Sequence, residues 1–242
     1  MTELDLTPFK AMSFDCYGTL IDWEAGILAV LSPWAREQRL DRTDEELLLA
    51  YGDNEAAVEQ ELPAVLYPEV LAEAFRRTGA DLDRPVSHEW AQRLGDSVPD
   101  WPAFPDSAEA LARLARHYRL IIVSNVHRDG FAGSNRHLRG DFAAVITAED
   151  VGAYKPAENH FRALDSTLPT LGVERSELLH VAQSLFHDHV PAKREGLPSV
   201  WINRRHGRPG WGATPEPSGE WSYDLELPSM AALADAVDLA FG

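Results

Sequence analysis

The second half of the chain alternates short apolar runs with segments of helical spacing, and this alternation constrains the fold more than any other feature. The apolar runs with strand character are residues 119–125, 143–147, 178–184 and 198–204. Helical patterns precede or separate them at residues 104–118, 158–168 and 190–197. Such alternation is typical of a parallel sheet with helices on both faces. Asp106 is expected to cap the first of these helices, with Glu109 three residues later in a capping box.

The first strand of the same sheet is predicted at residues 10–17, far upstream of the second strand. Residues 20–100 between them contain helical patterns, such as 43–52 and 68–77, and no convincing strand. The sequence therefore predicts an α/β fold, with a doubly wound (Rossmann-like) parallel sheet as its core and an inserted α-helical cap domain. The core domain would comprise residues 1–20 and 101–242, and the cap residues 21–100.

Composition excludes several classes of partner. The formal charge is −17, whereas binding to a phosphate backbone depends on clustered Lys and Arg, so we expect no nucleic acid partner. No apolar run approaches the roughly 20 residues that cross a bilayer, so we expect no membrane partner either. The single cysteine, Cys16, has no internal disulfide partner, and no targeting segment opens the chain. These features favour a cytoplasmic protein.

Polar residues follow the predicted strands at their carboxyl ends, where ligands bind in open α/β sheets. They are Asp15, Ser124, Asn125 and the stretch 183–188, and we expect them to converge on one crevice. Asp15 precedes a turn containing Gly18 and Thr19, which suits a carboxylate nucleophile presented to substrate. Taken alone, such an Asp is more often a residue that caps a loop.

Lys155 lies just before Pro156, at the close of a predicted loop. In the crevice its ammonium group would neutralise Asp15 and lower the pKa of that carboxyl. A single lysine is more often a surface residue, so the assignment of Lys155 to the crevice depends on the other motifs of the sequence.

Four segments in this order resemble the motifs of the haloacid dehalogenase superfamily. They are FDCYGTLIDWE (14–24), LIIVSN (120–125), VGAYKP (151–156) and QSLFHD (183–188). The resemblance implies that Asp15 is the nucleophile, with Thr19 beside it in the catalytic group. It also implies that Ser124 binds the substrate carboxylate or reacting group and that Lys155 is the lysine of the third motif.

Two positions depart from the phosphatases of this superfamily. Those enzymes carry a general-acid Asp two residues after the nucleophile, where this chain has Tyr17. They also carry an acidic pair in the fourth motif that helps to hold Mg²⁺, and Gln183 stands at the first of those positions. We therefore expect no metal and no cofactor, with Asp15 and Asp188 facing Lys155.

The remaining pattern is similar to the type II 2-haloacid dehalogenases, which substitute at carbon. The resemblance implies that Asp15 attacks a small carboxylic acid substrate and that water, activated by Asp188, hydrolyses the resulting ester. Those enzymes hold the departing halide with an early cap arginine, and Arg36, Arg39 and Arg42 are not assigned to that position. Further departures are Phe161 in place of a family Tyr, together with Gln183 and Leu185 in the fourth motif.

A closer resemblance, to the azetidine-2-carboxylate hydrolases of the same superfamily, rests on four segments: residues 14–24, WPAFPD (101–106), LFHDHVPA (185–192) and RRHGRPGWGAT (204–214). These enzymes open a strained ring and need no halide site. Glu55, beside Asn54 in the cap, would then hold a cationic ring nitrogen, although a solvated helix position is equally compatible with Glu55.

The other substrate-binding candidates are Tyr17 and Trp23 as walls of the pocket, Asn125, and the backbone N–H of Cys16 as a donor to the substrate carboxylate. Two alternatives remain at this stage: a phosphatase acting on a small phosphate ester, and a non-catalytic binding protein that kept the scaffold. The resemblance also makes a homodimer plausible.

Overall fold

A computed structural model describes residues 4–207, 210, 212–217 and 220–242. Its six-stranded sheet has the order β3-β2-β1-β4-β5-β6, and all neighbouring strands are parallel. The strands are β1 (Ala11–Phe14), β2 (Arg119–Ser124), β3 (Phe142–Thr147), β4 (Leu178–Ala182), β5 (Ser199–Ile202) and β6 (Leu225–Leu227). The predicted doubly wound parallel sheet is confirmed.

The position of each strand follows from its sequence. β1 lies at the centre, where β2 and β4 cover both of its edges, and all four of its residues are buried. The five predicted strands are all present. The edge strand β6 was not predicted, because its three residues are partly exposed and form no apolar run.

Ten α-helices occur in the described part of the chain. They are α1 (Trp23–Glu37), α2 (Asp44–Glu61), α3 (Tyr67–Asp81), α4 (His88–Gly95), α5 (Ser107–Leu114), α6 (Arg128–Leu138), α7 (Ala148–Val151), α8 (Asn159–Thr167), α9 (Val190–Arg194) and α10 (Met230–Phe241). A π-helical turn, Leu185–His189, directly precedes α9. None of the described helices is long and apolar enough to cross a membrane.

Helices α1 to α4 occupy the segment predicted to form the cap. A capping box of Thr43 and Glu46 starts α2, and Trp34 of α1 packs edge-on against Phe75 of α3, with ring centroids 5.1 Å apart. Their apolar residues belong to the same hydrophobic cluster as α5 and the sheet. The helical content agrees with the sequence pattern, and the division into two domains stays a prediction.

Asp106 occupies the predicted N-cap position of α5, but the capping bonds expected of its side chain do not form. Its carboxylate accepts no hydrogen bond from the first turn of α5, and it forms no capping box with Glu109. Both carboxylate oxygens instead accept from Arg204 at 2.9 Å, and one also accepts from the backbone N–H of Ala231. The stronger charged donors bind the carboxylate in preference to the helix terminus.

The loop after β5 joins the core to the cap helices. Arg205 binds Glu24 of α1 and Glu45 of α2, and the backbone N–H of Ala213 donates to Glu24 at 3.0 Å. A side chain at Gly52 of α2 would collide with the carbonyl oxygen of Ala213. Residues 208, 209 and 211 of the RRHGRPGWGAT segment, and residues 218 and 219 after it, lie outside the described residues.

Candidate active site

A cavity lies at the carboxyl edge of the sheet, under helices of the cap segment. The predicted site residues that line it are Asp15, Tyr17, Trp23, Glu55, Ser124, Asn125, Lys155 and Asp188. The strand ends therefore converge as the α/β topology predicts.

The ammonium group of Lys155 joins the two carboxylates of the site. Its Nζ donates to Oδ1 of Asp15 at 2.9 Å, to Oδ1 of Asp188 at 2.7 Å and to the carbonyl oxygen of Val123 at 2.9 Å. Only 2% of Lys155 is exposed, so Lys155 is a buried residue of the crevice and not a surface lysine. The three bonds use all its donors and fix its position.

Thr19 holds the other oxygen of the nucleophile candidate. Its hydroxyl donates to Oδ2 of Asp15 at 2.7 Å and accepts from the backbone N–H of Gln183 at 2.9 Å. Gln183 follows β4, the neighbour of β1 in the sheet. The turn after β1 and the end of β4 thus fix the orientation of Asp15 together.

Burial and charge give the two carboxyls different acidities. Burial raises the pKa of Asp15, and the nearby charge of Asp188 adds to this rise, while Lys155 counteracts it. Burial opposes ionisation of Asp188 too, but Lys155 and His180 outweigh it and hold its pKa well below the usual range. Lys155 lowers the pKa of Asp15 as predicted, but the net shift is upward because desolvation is the larger effect there.

Two polar atoms in the wall of the cavity have no hydrogen-bond partner in the described part of the chain. They are Oδ2 of Asp188 and the hydroxyl of Ser124, and both residues are fully buried. Because buried polar atoms are nearly always paired, both atoms are available to a bound substrate or water.

Asn125 positions the loop that carries Lys155. Its side-chain oxygen accepts from the backbone N–H of Lys155 at 2.6 Å, and its amide donates to the backbone carbonyl at 3.2 Å. The same amide lies 3.4 Å from both carboxylate oxygens of Glu59. Asn125 lines the cavity, and these bonds link the end of β2 to both the lysine loop and the cap.

Two acidic side chains of α2 face the cavity. Glu55 accepts from Tyr67 at 2.9 Å and from Tyr51 at 3.4 Å, and burial raises the pKa of Glu55 to about 7 although these hydroxyls oppose the shift. Burial and the charge of Glu55 raise the pKa of Glu59 well above its usual range. Sequence reasoning missed Glu59, although its spacing of four residues from Glu55 places both on one helix face.

Aromatic side chains close the cap side of the cavity. Tyr17 packs edge-on against Trp101 with ring centroids 5.5 Å apart, lies 6.3 Å from the ring of Tyr67, and shares a hydrogen bond of 2.8 Å with the hydroxyl of Ser134. Trp23 also lines the cavity. These rings make an apolar wall that suits a small substrate.

Two predicted substrate-binding residues do not line this cavity. The amide of Asn54 donates to the carbonyl oxygen of Ala50 and to Asp81 at 2.8 Å, so the prediction for Asn54 is wrong, because neighbours on α2 and α3 hold its side chain. Cys16 is fully buried in the hydrophobic core. The predicted role of its backbone N–H stays a prediction.

The donor set does not fit a hard metal cation. Lys155 occupies the position between the two carboxylates, and Gln183 supplies an amide where a further carboxylate would bind Mg²⁺. No group of three or more His, Cys, Asp or Glu side chains among the described residues could hold a metal ion. Arg36, Arg39 and Arg42 are absent from the cavity-lining residues, which contain no arginine within the described ranges.

Comparison with known proteins identifies relatives. The family model for haloacid dehalogenase-like hydrolases matches residues 9–182. An (S)-2-haloacid dehalogenase of Pseudomonas putida is 27% identical over 212 residues, covering 82% of this chain and 86% of the relative. A phosphoglycolate phosphatase of Photorhabdus laumondii is 26% identical over 206 residues, covering 84% and 83%.

A solved structure supports the fold independently. An L-2-haloacid dehalogenase from Xanthobacter autotrophicus, described with chloropropionic acid covalently bound, superposes with a TM-score of 0.75. The match covers 95% of this chain and 98% of that protein at 20% sequence identity.

Proposed function

The chain belongs to the haloacid dehalogenase-like hydrolases, and we propose that it hydrolyses small 2-substituted carboxylic acids by substitution at carbon, without a metal ion. The observation that carries this proposal is the position of Lys155, whose Nζ lies 2.9 Å from Asp15 and 2.7 Å from Asp188. An ammonium group there supports a carboxylate nucleophile and takes the place of a divalent cation.

The reaction would proceed through an ester of Asp15. An oxygen of Asp15 forms a bond to C2 of the substrate, and the bond from C2 to the leaving group breaks, with its electron pair on the leaving group. Water then adds to Cγ of Asp15, and Oδ2 of Asp188 accepts a water proton. The bond from Cγ to the substrate oxygen breaks, and that proton passes to the departing 2-hydroxy acid.

The unpaired atoms in the cavity support this assignment. The free Oδ2 of Asp188 is available for the attacking water, and the free hydroxyl of Ser124 is available for the substrate carboxylate. Asp188 stays ionised as a base because Lys155 and His180 lower its pKa. The haloacid dehalogenase relatives are the second support.

The leaving group is either a halide or a ring amine. For the second, ring-opening candidate, the supporting observation is the pair of buried acids, Glu55 and Glu59, in the wall of the cavity. Attack at C2 of azetidine-2-carboxylate would break the bond to a protonated nitrogen that stays tethered, and a carboxylate stabilises such a cation. A halide would be repelled by the same acids when they are ionised.

The phosphatase alternative has a relative in its favour, the phosphoglycolate phosphatase. Against it stand Tyr17, which hydrogen-bonds Ser134 and offers no carboxyl proton, and Gln183, an amide in the wall of the cavity. A purely non-catalytic binding protein would not require the charged arrangement of Asp15, Lys155 and Asp188 at one crevice.

Purified protein should be incubated with L-2-chloropropionate, L-azetidine-2-carboxylate or a generic phosphate ester, each with EDTA and with added Mg²⁺. We expect halide or ring-opened 4-amino-2-hydroxybutyrate in the presence of EDTA, and no turnover by the Asp15→Asn variant. Turnover of the phosphate ester alone, dependent on Mg²⁺, would contradict the proposal.

A further inference from the structure

A chain of buried polar side chains leads from the active site into the centre of the sheet. Nε2 of His180 lies 3.1 Å from Oδ1 of Asp188, and Nδ1 of His180 lies 2.9 Å from the hydroxyl oxygen of Ser13. All three residues are fully buried. Ser13 of β1 and His180 of β4 are partners in the parallel register, so the backbone fixes this contact.

The direction of these hydrogen bonds follows from the acidity of Asp188. Burial alone would raise its pKa, but Lys155 and His180 lower it, so the carboxyl is ionised and only accepts. Nε2 of His180 therefore donates its N–H to Asp188. On the other side of the ring, Nδ1 shares a hydrogen bond of 2.9 Å with the Ser13 hydroxyl, which fixes the orientation of the ring.

The interior of this sheet offers no structural need for such a pair. The neighbouring residues of β1 and β4 are apolar, and burying polar groups there costs free energy unless they are hydrogen-bonded. A second buried pair, His189 with Ser199, lies one strand away, but its other ring nitrogen contacts the backbone carbonyl of Ala182. Of these two pairs, that of Ser13 and His180 ends on Asp188.

We infer that His180, held by Ser13, is a positioning residue for the hydrolysis of the ester on Asp15. It anchors Oδ1 of Asp188, so that the unpartnered Oδ2 remains directed at the cavity and can accept the proton of the attacking water. This inference rests on the proposed function, because it assigns a role in the second of its two steps.

The two steps should respond differently when His180 is removed. Formation of the ester requires Asp15, Thr19 and Lys155, none of which contacts His180 through a described hydrogen bond. Hydrolysis requires an ionised and correctly oriented Asp188. The titratable groups around Asp188 are Lys155, Asp15, His180 and the neighbouring His187, His189 and His160.

The test compares four variants with the wild-type enzyme. His180→Phe removes the donor and keeps an aromatic ring beside Phe161, whereas His180→Gln keeps an amide donor of similar reach. Ser13→Ala releases Nδ1 of His180. Ser199→Ala is the matched control, because it removes a buried serine–histidine hydrogen bond that does not reach Asp188.

Rapid quenching and mass spectrometry of the intact chain would follow ester formation and decay with a substrate that wild type turns over. We expect His180→Phe to form the ester at a near-normal rate and to hydrolyse it about 10- to 100-fold more slowly, so that the ester accumulates. His180→Gln should restore most of the hydrolysis rate, Ser13→Ala should lose part of it, and Ser199→Ala should behave as wild type. The acidic limb of the hydrolysis profile should move to higher pH in His180→Phe.

Equal hydrolysis rates in wild type and His180→Phe would overturn the inference and leave the proposed function intact. Absence of an ester in every protein, including wild type, would contradict both. Nitrogen-15 NMR of wild-type histidines supplies a readout that needs no variant: we expect Nε2 of His180 to carry a hydrogen, and protonation on Nδ1 alone would overturn the inference.

Discussion

Asp188 on the core side of the cavity and Glu55 on the cap side have pKa values that are shifted in opposite directions. On the core side, Asp15 and Asp188 share the ammonium group of Lys155; the pKa of Asp188 lies well below its usual range, whereas burial raises that of Asp15. On the cap side, Glu55 is bound by neutral tyrosine hydroxyls, and its pKa rises to about 7. Asp188 and Glu55 are both buried, and their pKa values differ because Lys155 and His180 act on Asp188 while only neutral hydroxyls contact Glu55.

We infer from this difference that the core side carries out the reaction and that the cap side determines which substrate binds. The core side contains its own counter-charge, Lys155, so in the proposed reaction its carboxylates need no positive charge from the substrate. Among the described residues, no cationic side chain lies as close to Glu55 and Glu59 as Lys155 lies to Asp15 and Asp188. A positively charged substrate could therefore act as their counter-charge. We expect variants on the core side to abolish turnover and variants on the cap side to change preference.

The largest expected effect is that of Lys155→Met. This change leaves two buried carboxylates without their shared counter-charge, and breaking a buried ion pair costs about 3–5 kcal/mol. We expect a loss of this size in the free energy of unfolding, measured by urea denaturation at neutral pH, together with loss of turnover. Lys193→Met is the control, since Lys193 pairs with Glu220, which is 90% exposed, and it should change stability by less than about 1 kcal/mol. Equal stability of the two variants would contradict the comparison.

The next effect concerns Glu55→Gln, which removes a negative charge but keeps an oxygen to accept from Tyr67. For azetidine-2-carboxylate we expect KM to rise about 10-fold or more, because a charged hydrogen bond to the ring nitrogen is lost. For L-2-chloropropionate we expect KM to stay the same or to fall. Glu61→Gln, at an exposed position of the same helix, should leave both values unchanged. An equal rise in KM for both substrates would show that Glu55 does not determine which substrate is preferred.

The pH dependence of binding should follow the same carboxyl. A raised carboxyl pKa means that Glu55 is negative above pH of about 7 and neutral below it. Lowering the pH through this value should therefore raise KM for the cationic ring substrate, by about tenfold for each pH unit below the pKa, and should not raise it for the haloacid. Glu55→Gln should abolish the difference between the two profiles. Identical wild-type profiles for the two substrates would contradict the assignment.

The smallest effect is expected for Tyr17→Phe, which keeps the ring against Trp101 and removes the hydrogen bond to Ser134. We expect a loss of about 1 kcal/mol in the free energy of unfolding and only a few-fold change in kcat/KM. Ser134→Ala should have a similar effect, and the double variant should cost less than the sum of the two. An effect on turnover as large as that of Lys155→Met would show that the hydroxyl takes part in the chemistry.

The core side was predictable from sequence because it depends on topology. Once the strands are recognised, Asp15, Ser124 and Asp188 must meet at the carboxyl edge of a parallel sheet. Lys155 follows from the resemblance and lies where that resemblance implies. The acidity of Asp15 was not predictable, because it depends on the degree of burial.

The cap side was only partly predictable, since helical spacing fixes which residues share a face but not which face meets the cavity. Glu55 was identified, Glu59 on the same face was missed, and Asn54 was assigned to the cavity although it binds Asp81. The pair of Ser13 and His180 was also missed, because apolar strand patterns do not show which residues pair across a sheet.

A single turnover in H₂¹⁸O tests the central claim most directly, with enzyme in excess over a substrate that it turns over. If Asp15 forms an ester that water opens at Cγ, one ¹⁸O atom must enter the Asp15 carboxylate, and the 2-hydroxy product must contain unlabelled oxygen. Mass spectrometry of the peptide containing Asp15 would measure the label, with Asp15→Asn as the control. Label in the product and none in Asp15 would show direct attack by water and would contradict the account.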